Sequence, residues 1–523
     1  MAGERQLPIV PGQPRGDHLS PRDRRTFVAM LWLLGALIRL IPVLQFPGAT
    51  RRPFGMGGLY LLFAREILHH GLALPTYIPY YTLGGLPYAY PPLAFYIEAL
   101  ALRWLPVPTF VLVNGLPGLF SCLTVGVFFL LARQLLVEDR PALLATAIYA
   151  LLPAAFLEHL PGEGLVESLG TLLFIAGILA VVRLNQHPGW REAVLLGLFI
   201  GLNLLASPGG AYGLALSVVV LWLFRAGGRR APLGHLLVAV GIGLVLSTPY
   251  WLTVSLRHTP AIFFRTFFRQ HLNLGGWWLA KMGLVVEQRL PLSPWGVVAL
   301  IGLAAALSRR EWALPLWCLA VYAIPREYTY LVAVPLALLA AHGLQEVILP
   351  GAAQPLVEKS GSGRPRRFAA GLLLLVLFAW GTLRTFAWEG TLAETANLVT
   401  RDEMAMMDWI HEHTSPQATF LVIGDEIEWF PVLTERTTLN VIWGSEWGKD
   451  DTVFRLHRDL MACNLPDCYL ETAGRFGYAP DYLYLSRTGQ TCTTGTTPPG
   501  DALELVWENP GAILFRVRPP GGP

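Results

Sequence analysis

Two glutamates in a short polar stretch have the residue type and spacing that proton-transfer chemistry needs. Glu163 and Glu167 are four positions apart, at the predicted start of a helix in the segment 158–167. Residues four apart lie on one face of a helix, so both carboxylates could meet a substrate hydroxyl and take its proton. The alternative for Glu163 is an electrostatic role at the helix N-terminus. Glu167 lies deeper in an apolar run, where ionisable groups are costly and tend to be functional.

A second cluster could bind a metal ion. Glu66, His69 and His70 are three and four residues apart in a predicted helix, so their side chains lie close together. Carboxylate and imidazole groups are ligands for divalent cations, which makes a divalent cation the one candidate cofactor. The alternative is a solvated polar face on that helix.

Three arginines are candidates for binding phosphate. Arg326 follows Pro325 at the predicted end of a span and precedes Glu327. A guanidinium group there can donate to two phosphate oxygens at once, and the alternatives are an ion pair with Glu327 or anchoring to lipid headgroups. Arg265 and Arg269 accompany four phenylalanines at helical spacing, a pattern that suits a helix lying on a membrane surface.

The composition indicates a membrane protein. Of 523 residues, 53% are hydrophobic and 14% are charged, whereas soluble domains carry about 25% charged residues. A bilayer accommodates that apolar excess, and a soluble surface does not. The net charge is +3, and no basic tract is interleaved with aromatic residues, so nucleic acid is not expected as a partner.

Eleven apolar segments are candidates to cross the bilayer, for which a helix needs about 20 residues. They are residues 27–45, 109–132, 141–157, 166–184, 192–206, 209–226, 235–255, 294–308, 311–325, 328–348 and 368–386. With a cytoplasmic N-terminus, the short arginine-rich gaps fall on the cytoplasmic side, as the positive-inside rule requires. The predicted fold is therefore a polytopic α-helical membrane protein of the plasma (inner) membrane, with an extracytoplasmic C-terminal α/β domain.

This topology divides the chain into three parts. Residues 1–25 form a cytoplasmic tail, residues 26–386 the transmembrane domain, and residues 387–523 the extracytoplasmic domain. The outer loop 46–108 is predicted to carry two helices lying in the membrane interface, and the outer loop 256–293 a third. The segment Tyr90–Leu105 is assigned to the interface because it contains charged residues and is too short to cross.

The tail has the pattern of a small α/β domain. A helix is predicted at 401–413, and strands at Thr419–Ile423, Tyr482–Leu485, Leu503–Trp507 and Ile513–Val517. Cys463, Cys468 and Cys492 would lie on the oxidising side, which favours one disulfide among them and leaves one thiol over.

Short motifs in this order resemble the GT-C superfamily of membrane glycosyltransferases, which use polyprenyl-phosphate-linked sugars. The residues that carry the likeness are the segment Tyr60–Glu66 ended by Gly71, the segment Gly85–Leu93 with its Tyr90-Pro91-Pro92, and Pro325-Arg326. The resemblance covers about residues 27–350. It implies transfer of a sugar from a polyprenyl-phosphate-linked donor to an acceptor, with a carboxylate base and inversion at the anomeric carbon.

The resemblance also supplies roles for individual residues. The family's acidic residue in the first outer loop is missing, because residues 51–58 contain no carboxylate. The second outer loop is then the place for the base, with Glu163 and Glu167 as candidates. Tyr90, Arg326, Arg265 and Arg269 are the expected substrate-binding residues. Two alternatives remain: a non-catalytic relative that binds the lipid, and a transporter, against which the spans show no two-fold internal repeat.

Overall fold

A computed structural model supplies the structure of the chain. It describes twelve parts of the sequence. They are residues 20–45, 48, 51–136, 138–159, 162–224, 230–263, 293–324, 328–350, 371–383, 399–448, 451–487 and 502–518.

Thirteen helices precede the tail in these parts. They are α1 Pro21–Gln45, α2 Gly58–His69, α3 Leu93–Trp104, α4 Thr109–Leu136, α5 Asp139–Leu151, α6 Leu165–Gln186, α7 Trp190–Ala206, α8 Pro208–Leu223, α9 Leu233–His258, α10 Pro294–Ser308, α11 Ala313–Tyr322, α12 Thr329–Gly343 and α13 Gly371–Leu383. A helix lies within each of the eleven predicted spans. Four helices are long and apolar enough to cross a bilayer: α4, α6, α9 and α12 with its continuation to Ile348. The chain is therefore a polytopic integral membrane protein.

Small residues let the membrane helices approach closely. Gly302 of α10 and Gly343 at the end of α12 face each other, and a Cβ atom on Gly302 would collide with the backbone at Leu339. Membrane helices gain little from the hydrophobic effect in lipid, so close packing of this kind holds them together. Glycine thus has a packing role where α10 meets α12.

Polar contacts join the basic gaps at one end of the bundle. Asp139, the first residue of α5, forms ion pairs with Arg24 of α1 at 3.4 Å and with Arg133 of α4 at 3.2 Å. Asn185, at the end of α6, donates to the Leu221 carbonyl of α8 and accepts from the Ala231 amide in the α8–α9 connection. Short connections carrying arginine therefore cluster together, as expected for one membrane side.

Of the two helices predicted for the interface in the first outer loop, α2 is largely buried in the protein, whereas α3 keeps an exposed apolar end at Trp104 and Leu105. Eight residues of α2 are buried, and α3 packs against it with Glu98 only 1% exposed. Burial raises the pKa of Glu98 to about 8, and the nearby positive charge of Arg65 opposes that shift. The apolar stripe of α2, formed by Tyr60, Phe63, Ala64 and Ile67, packs against α3 and the tail. This corrects the expectation that α2 lies in the membrane interface, because the tail covers this end of the bundle.

The tail contains a five-stranded mixed sheet. Its strands are β3 Thr419–Ile423, β4 Thr437–Thr438, β5 Tyr482–Ser486, β6 Leu503–Glu508 and β7 Ala512–Val517, in the order β4-β3-β5-β7-β6. The short pair β1 Tyr77–Ile78 and β2 Leu86–Pro87 lies in the first outer loop. Strand β3 is parallel to β4 and β5, whereas β7 is antiparallel to β5 and β6.

Four α-helices and two 3-10 turns of the described tail accompany the sheet or lie beside it. Helix α14 is Arg401–His413, α15 is Phe430–Thr434, α16 is Thr452–Leu460 and α17 is Pro466–Arg475, and the 3-10 turns span Asp425–Glu428 and Ser445–Trp447. Thr400 and Glu403 form a capping box that starts α14. One hydrophobic cluster runs from Leu59 of α2 to Phe420 of β3, so the tail shares its core with the loop helices.

Cys463 and Cys468 form a disulfide between α16 and α17, and Cys492 lies outside the described residues. We expect Cys463→Ser with Cys468→Ser to destabilise the tail by about 2 kcal/mol, the loop-closure entropy of so short a loop. The measurement is the thermal unfolding of the purified protein with and without reductant. A disulfide persists in an oxidising compartment, so quantitative maleimide labelling of both cysteines in intact, unreduced cells would contradict this pairing.

Candidate active site

The first outer loop is held by three backbone carbonyl groups. The carbonyl of Arg52 accepts a hydrogen bond from the Asn114 side chain of α4 at 3.3 Å. The Pro53 carbonyl accepts from the Val399 amide at 3.3 Å, and the Gly55 carbonyl accepts from the Trp429 indole at 2.7 Å. The loop is therefore fastened both to the membrane helices and to the tail.

Glycines let the backbones meet around this loop. A Cβ atom on Gly57 would collide with the carbonyl of Gly162 in the second outer loop, and one on Gly58 would collide with the carbonyl of Glu428 in the tail. Gly162 has φ +81 and packs against the Phe54 carbonyl, a conformation and a contact that favour glycine. The first loop, the second loop and the tail thus converge at one place.

Glu163 and Glu167 lie at this junction. The Met56 amide donates to Glu163 Oε2 at 3.1 Å, a hydrogen bond between the two outer loops. Burial raises the pKa of Glu163, and the Met56 hydrogen bond opposes that shift. Glu167 lies in the first turn of α6, and its buried Oε2 has no hydrogen-bond partner among the described residues. Such an oxygen is costly to bury unless a ligand or proton completes it.

A third glutamate joins them. Glu158 lies near enough to Glu167 for their charges to interact, as Glu163 does. The hydroxyl of Thr329, the first residue of α12, donates to Glu158 Oε1 at 2.8 Å. The site therefore combines three carboxylates with the beginning of α12.

His159 ties the second loop to two helices. Its Nδ1 lies 2.9 Å from Ser121 Oγ on α4, and its Nε2 lies 3.0 Å from Thr171 Oγ1 on α6. Thr171 donates its own proton to the Glu167 carbonyl, so its oxygen accepts from Nε2–H and Nδ1 accepts from Ser121. Burial lowers the pKa of His159 to about 3. The neutral ring therefore joins the second outer loop to α4 and α6 without adding charge.

Tyr90 belongs to an aromatic cluster next to the tail. Its ring centroid lies 5.2 Å from that of Trp447 and 5.6 Å from that of Phe63 on α2. Tyr60 of the same helix lies 5.1 Å from Trp443. The predicted substrate role of Tyr90 stays a prediction.

Glu66, His69 and His70 come together at the exposed end of α2. Glu66 Oε1 lies 3.3 Å from His69 Nδ1, and Glu66 Oε2 lies 3.7 Å from His70 Nδ1. Both histidines are exposed, and His70 Nδ1 also faces the Glu66 carbonyl at 2.8 Å. Within the described parts of the chain, no group of three or more such residues is arranged to hold a metal ion. The cluster is better explained as a solvated polar face of α2.

The three predicted phosphate-binding arginines, Arg326, Arg265 and Arg269, lie outside the described residues. Glu158 and Thr329 were not predicted as site residues from the sequence. The signal available for Glu158 was its position in the same acidic loop, nine residues before Glu167. Nothing in the sequence pairs it with Thr329, because that contact joins residues 171 positions apart.

Neither a protein-family model nor a curated protein matches the sequence. Solved structures do. The oligosaccharyltransferase AglB of Archaeoglobus fulgidus, in complex with an inhibitory peptide and a dolichol-phosphate, matches with a TM-score of 0.60 at 13% identity, over 88% of this chain and 70% of that one. The same oligosaccharyltransferase has been solved with Zn and sulfate.

Two further structures match over most of this chain. ArnT of Cupriavidus metallidurans, bound to undecaprenyl phosphate, has a TM-score of 0.57 at 17% identity and is covered over 98% of its length, with 95% of this chain. The mycobacterial arabinofuranosyltransferase AftD has a TM-score of 0.52 at 17% identity, over 95% of this chain and 42% of that one. All three are membrane glycosyltransferases of the GT-C type, so the predicted GT-C-like membrane fold is confirmed. The count of eleven spans and the extracytoplasmic side of the tail stay predictions.

Proposed function

We propose that the chain transfers a sugar from a polyprenyl-phosphate-linked donor to an acceptor at the extracytoplasmic membrane face. In this proposal eleven helices cross the membrane, the N-terminus is cytoplasmic, and the tail covers the outer end of the bundle. The clustering of the basic gaps at the end opposite the tail supports that orientation. The disulfide in the tail supports it independently.

The observation that carries the proposal is the convergence of Glu158, Glu163 and Glu167 beneath the junction of both outer loops and the tail. In a chain with the GT-C fold, this is a half-buried acidic site at the mouth of the bundle. A buried carboxylate oxygen without a described partner, on Glu167, is positioned to bind a hydroxyl proton.

We assign the two predicted catalytic glutamates different tasks. Glu167 takes the proton from the acceptor hydroxyl while the acceptor oxygen bonds to the anomeric carbon. The bond from that carbon to the phosphate oxygen breaks, and polyprenyl phosphate leaves with the electron pair. One such displacement inverts the anomeric configuration. Glu163 binds the Met56 amide and so holds the first loop over the site.

Stabilisation of the leaving phosphate requires a cation. Arg326 stays our candidate, since it lies three residues before Thr329, which binds Glu158. Tyr90, Arg265 and Arg269 stay proposed substrate contacts. The zinc-containing relative makes a divalent cation relevant to the fold. The described residues do not fit a three-residue metal site, and no ligand set is proposed.

The test is donor turnover by the purified full-length protein in lipid, with a panel of radiolabelled polyprenyl-phosphate sugars. We expect one donor to bind and to release polyprenyl phosphate, and Arg326→Ala to weaken that binding. A folded sample that binds none of the donors would overturn the proposal. Counterflow of a labelled solute in proteoliposomes would then favour the transporter.

A non-catalytic lipid-binding relative is the second candidate. The observation that favours it is the absence of any carboxylate from residues 51–58, where the resemblance expects the family's acidic residue. Donor binding with no turnover under any acceptor condition would support this alternative.

A further inference from the structure

A cleft lies where the first outer loop meets the tail. It has a volume of about 280 Å³, near the lower end of the range for ligand pockets. Its charged lining consists of Arg51, Arg52, Arg401 and Asp408. Met404 and Ala405 of α14 give it an apolar wall beside those groups.

Backbone contacts of the first outer loop bring these arginines together. The Val399 amide donates a hydrogen bond to the Pro53 carbonyl. Pro53 follows Arg52 directly, and Val399 is two positions before Arg401. The Arg51 amide closes a turn on the Gly48 carbonyl at 2.9 Å. The guanidinium of Arg52 packs against Gly48. It fills the space that a side chain at position 48 would need. Backbone contacts from both segments therefore set the spacing of the positive charges.

The positive charge of this cleft is not neutralised within the described protein. None of the three arginines forms an ion pair with a described carboxylate, although Asp408 lines the same cleft. Arg51 and Arg401 are exposed, and Arg52 is half-buried. Three guanidinium groups against one carboxylate leave a net positive site, and guanidinium groups match the geometry of phosphate oxygens.

The depth of the cleft suits a membrane ligand. Helix α1 ends at Gln45, and Gly48 lines the cleft three residues later. Three residues of chain span at most about 11 Å, so in the proposed topology, with residues 27–45 crossing the bilayer, the cleft lies near the level at which the first helix leaves the hydrocarbon. Phosphate groups of lipids are found at that level.

We propose that this cleft binds a phosphate group, carried either by a lipid headgroup or by a soluble phosphate ester. None of the three glutamates lines this cleft, and the proposed binding does not require sugar transfer. It also gives the arginine pair a task at the place where the resemblance expects an acid.

Photo-crosslinking at the cleft itself tests this inference. The probe is phosphatidylglycerol with a diazirine in its headgroup, titrated into the full-length protein in nonionic detergent. Crosslinked peptides containing residues 401–408 are quantified by mass spectrometry. Each arginine near a lipid surface contributes about fivefold in affinity, so Arg51→Gln with Arg52→Gln should raise the half-saturating concentration by about 30-fold.

Three further samples complete the experiment. Arg401 is exposed, and Arg401→Gln should raise the half-saturating concentration by about fivefold. This variant tests the proposal if the double variant does not fold. Arg455→Gln removes an exposed charge from α16 of the tail and should change nothing. Competition by unlabelled phosphatidylglycerol alone identifies a lipid headgroup, and equal competition by glycerol phosphate identifies a soluble ester. Absence of crosslinks at 401–408, or equal half-saturation in wild type and the arginine variants, overturns the proposal.

Discussion

Glu167→Gln should lower sugar transfer by about 10³-fold, the contribution expected of a general base. The amide keeps the shape of the side chain and loses its basicity, so donor binding should stay within about twofold of wild type if the base acts only in the chemical step. The measurement is transfer of labelled sugar from the donor identified in the panel, together with donor binding on the same sample.

Two neighbouring changes sharpen this test. Glu163→Gln should cost about tenfold or less, because the amide oxygen can still accept the hydrogen bond from Met56. Glu138→Gln removes an exposed carboxylate at the basic end of the bundle and should leave transfer unchanged. Full transfer by Glu167→Gln combined with its loss in Glu158→Gln would move the base to Glu158.

Gly58→Val should separate the first outer loop from the tail and lower transfer by about 100-fold. A Cβ atom at this position collides with the backbone carbonyl of Glu428, which cannot rotate away. That carbonyl also accepts the Tyr81 hydroxyl at 2.7 Å. Movement of the loop displaces Met56 from Glu163, and a shift of about 1 Å near a reacting centre can cost about 10²-fold.

Gly115→Val is the matched control for this change, since a Cβ atom on Gly115 of α4 meets nothing within 4 Å. Transfer and thermal unfolding are measured on both variants. We expect the unfolding temperature to fall in Gly58→Val and to stay near that of wild type in Gly115→Val. Wild-type transfer by a folded Gly58→Val protein would show that docking of the tail is not needed for the chemistry.

The helices and strands could be predicted because their signals are local. Runs of apolar residues between arginine-containing gaps mark the helices of the bundle, and short apolar runs in the tail mark strands such as β3 and β5. The acidic loop could also be singled out, because Glu163 and Glu167 occupy adjacent turns of one segment. These features need only the spacing of residues near one another in the chain.

The surroundings of those elements needed the tertiary structure. The stripe of α2 suits lipid and protein equally well, since apolar side chains leave water in either case. The tail decided between them, through contacts such as that of Arg65 with the Val432 carbonyl, 367 positions apart. The arginine cleft also needed the tertiary structure, because Arg52 and Arg401 on its two sides are far apart in the sequence.

By itself, then, the sequence determined that the chain is a helical membrane protein, roughly where its apolar helices lie, and which loop carries its acidic residues. Only the tertiary structure decided that Met56 binds Glu163, that Thr329 binds Glu158, and that the tail closes over the first loop. The physical reason is that each of these contacts joins residues more than 100 positions apart. Their pairing depends on how the helices pack, and local residue patterns do not encode it.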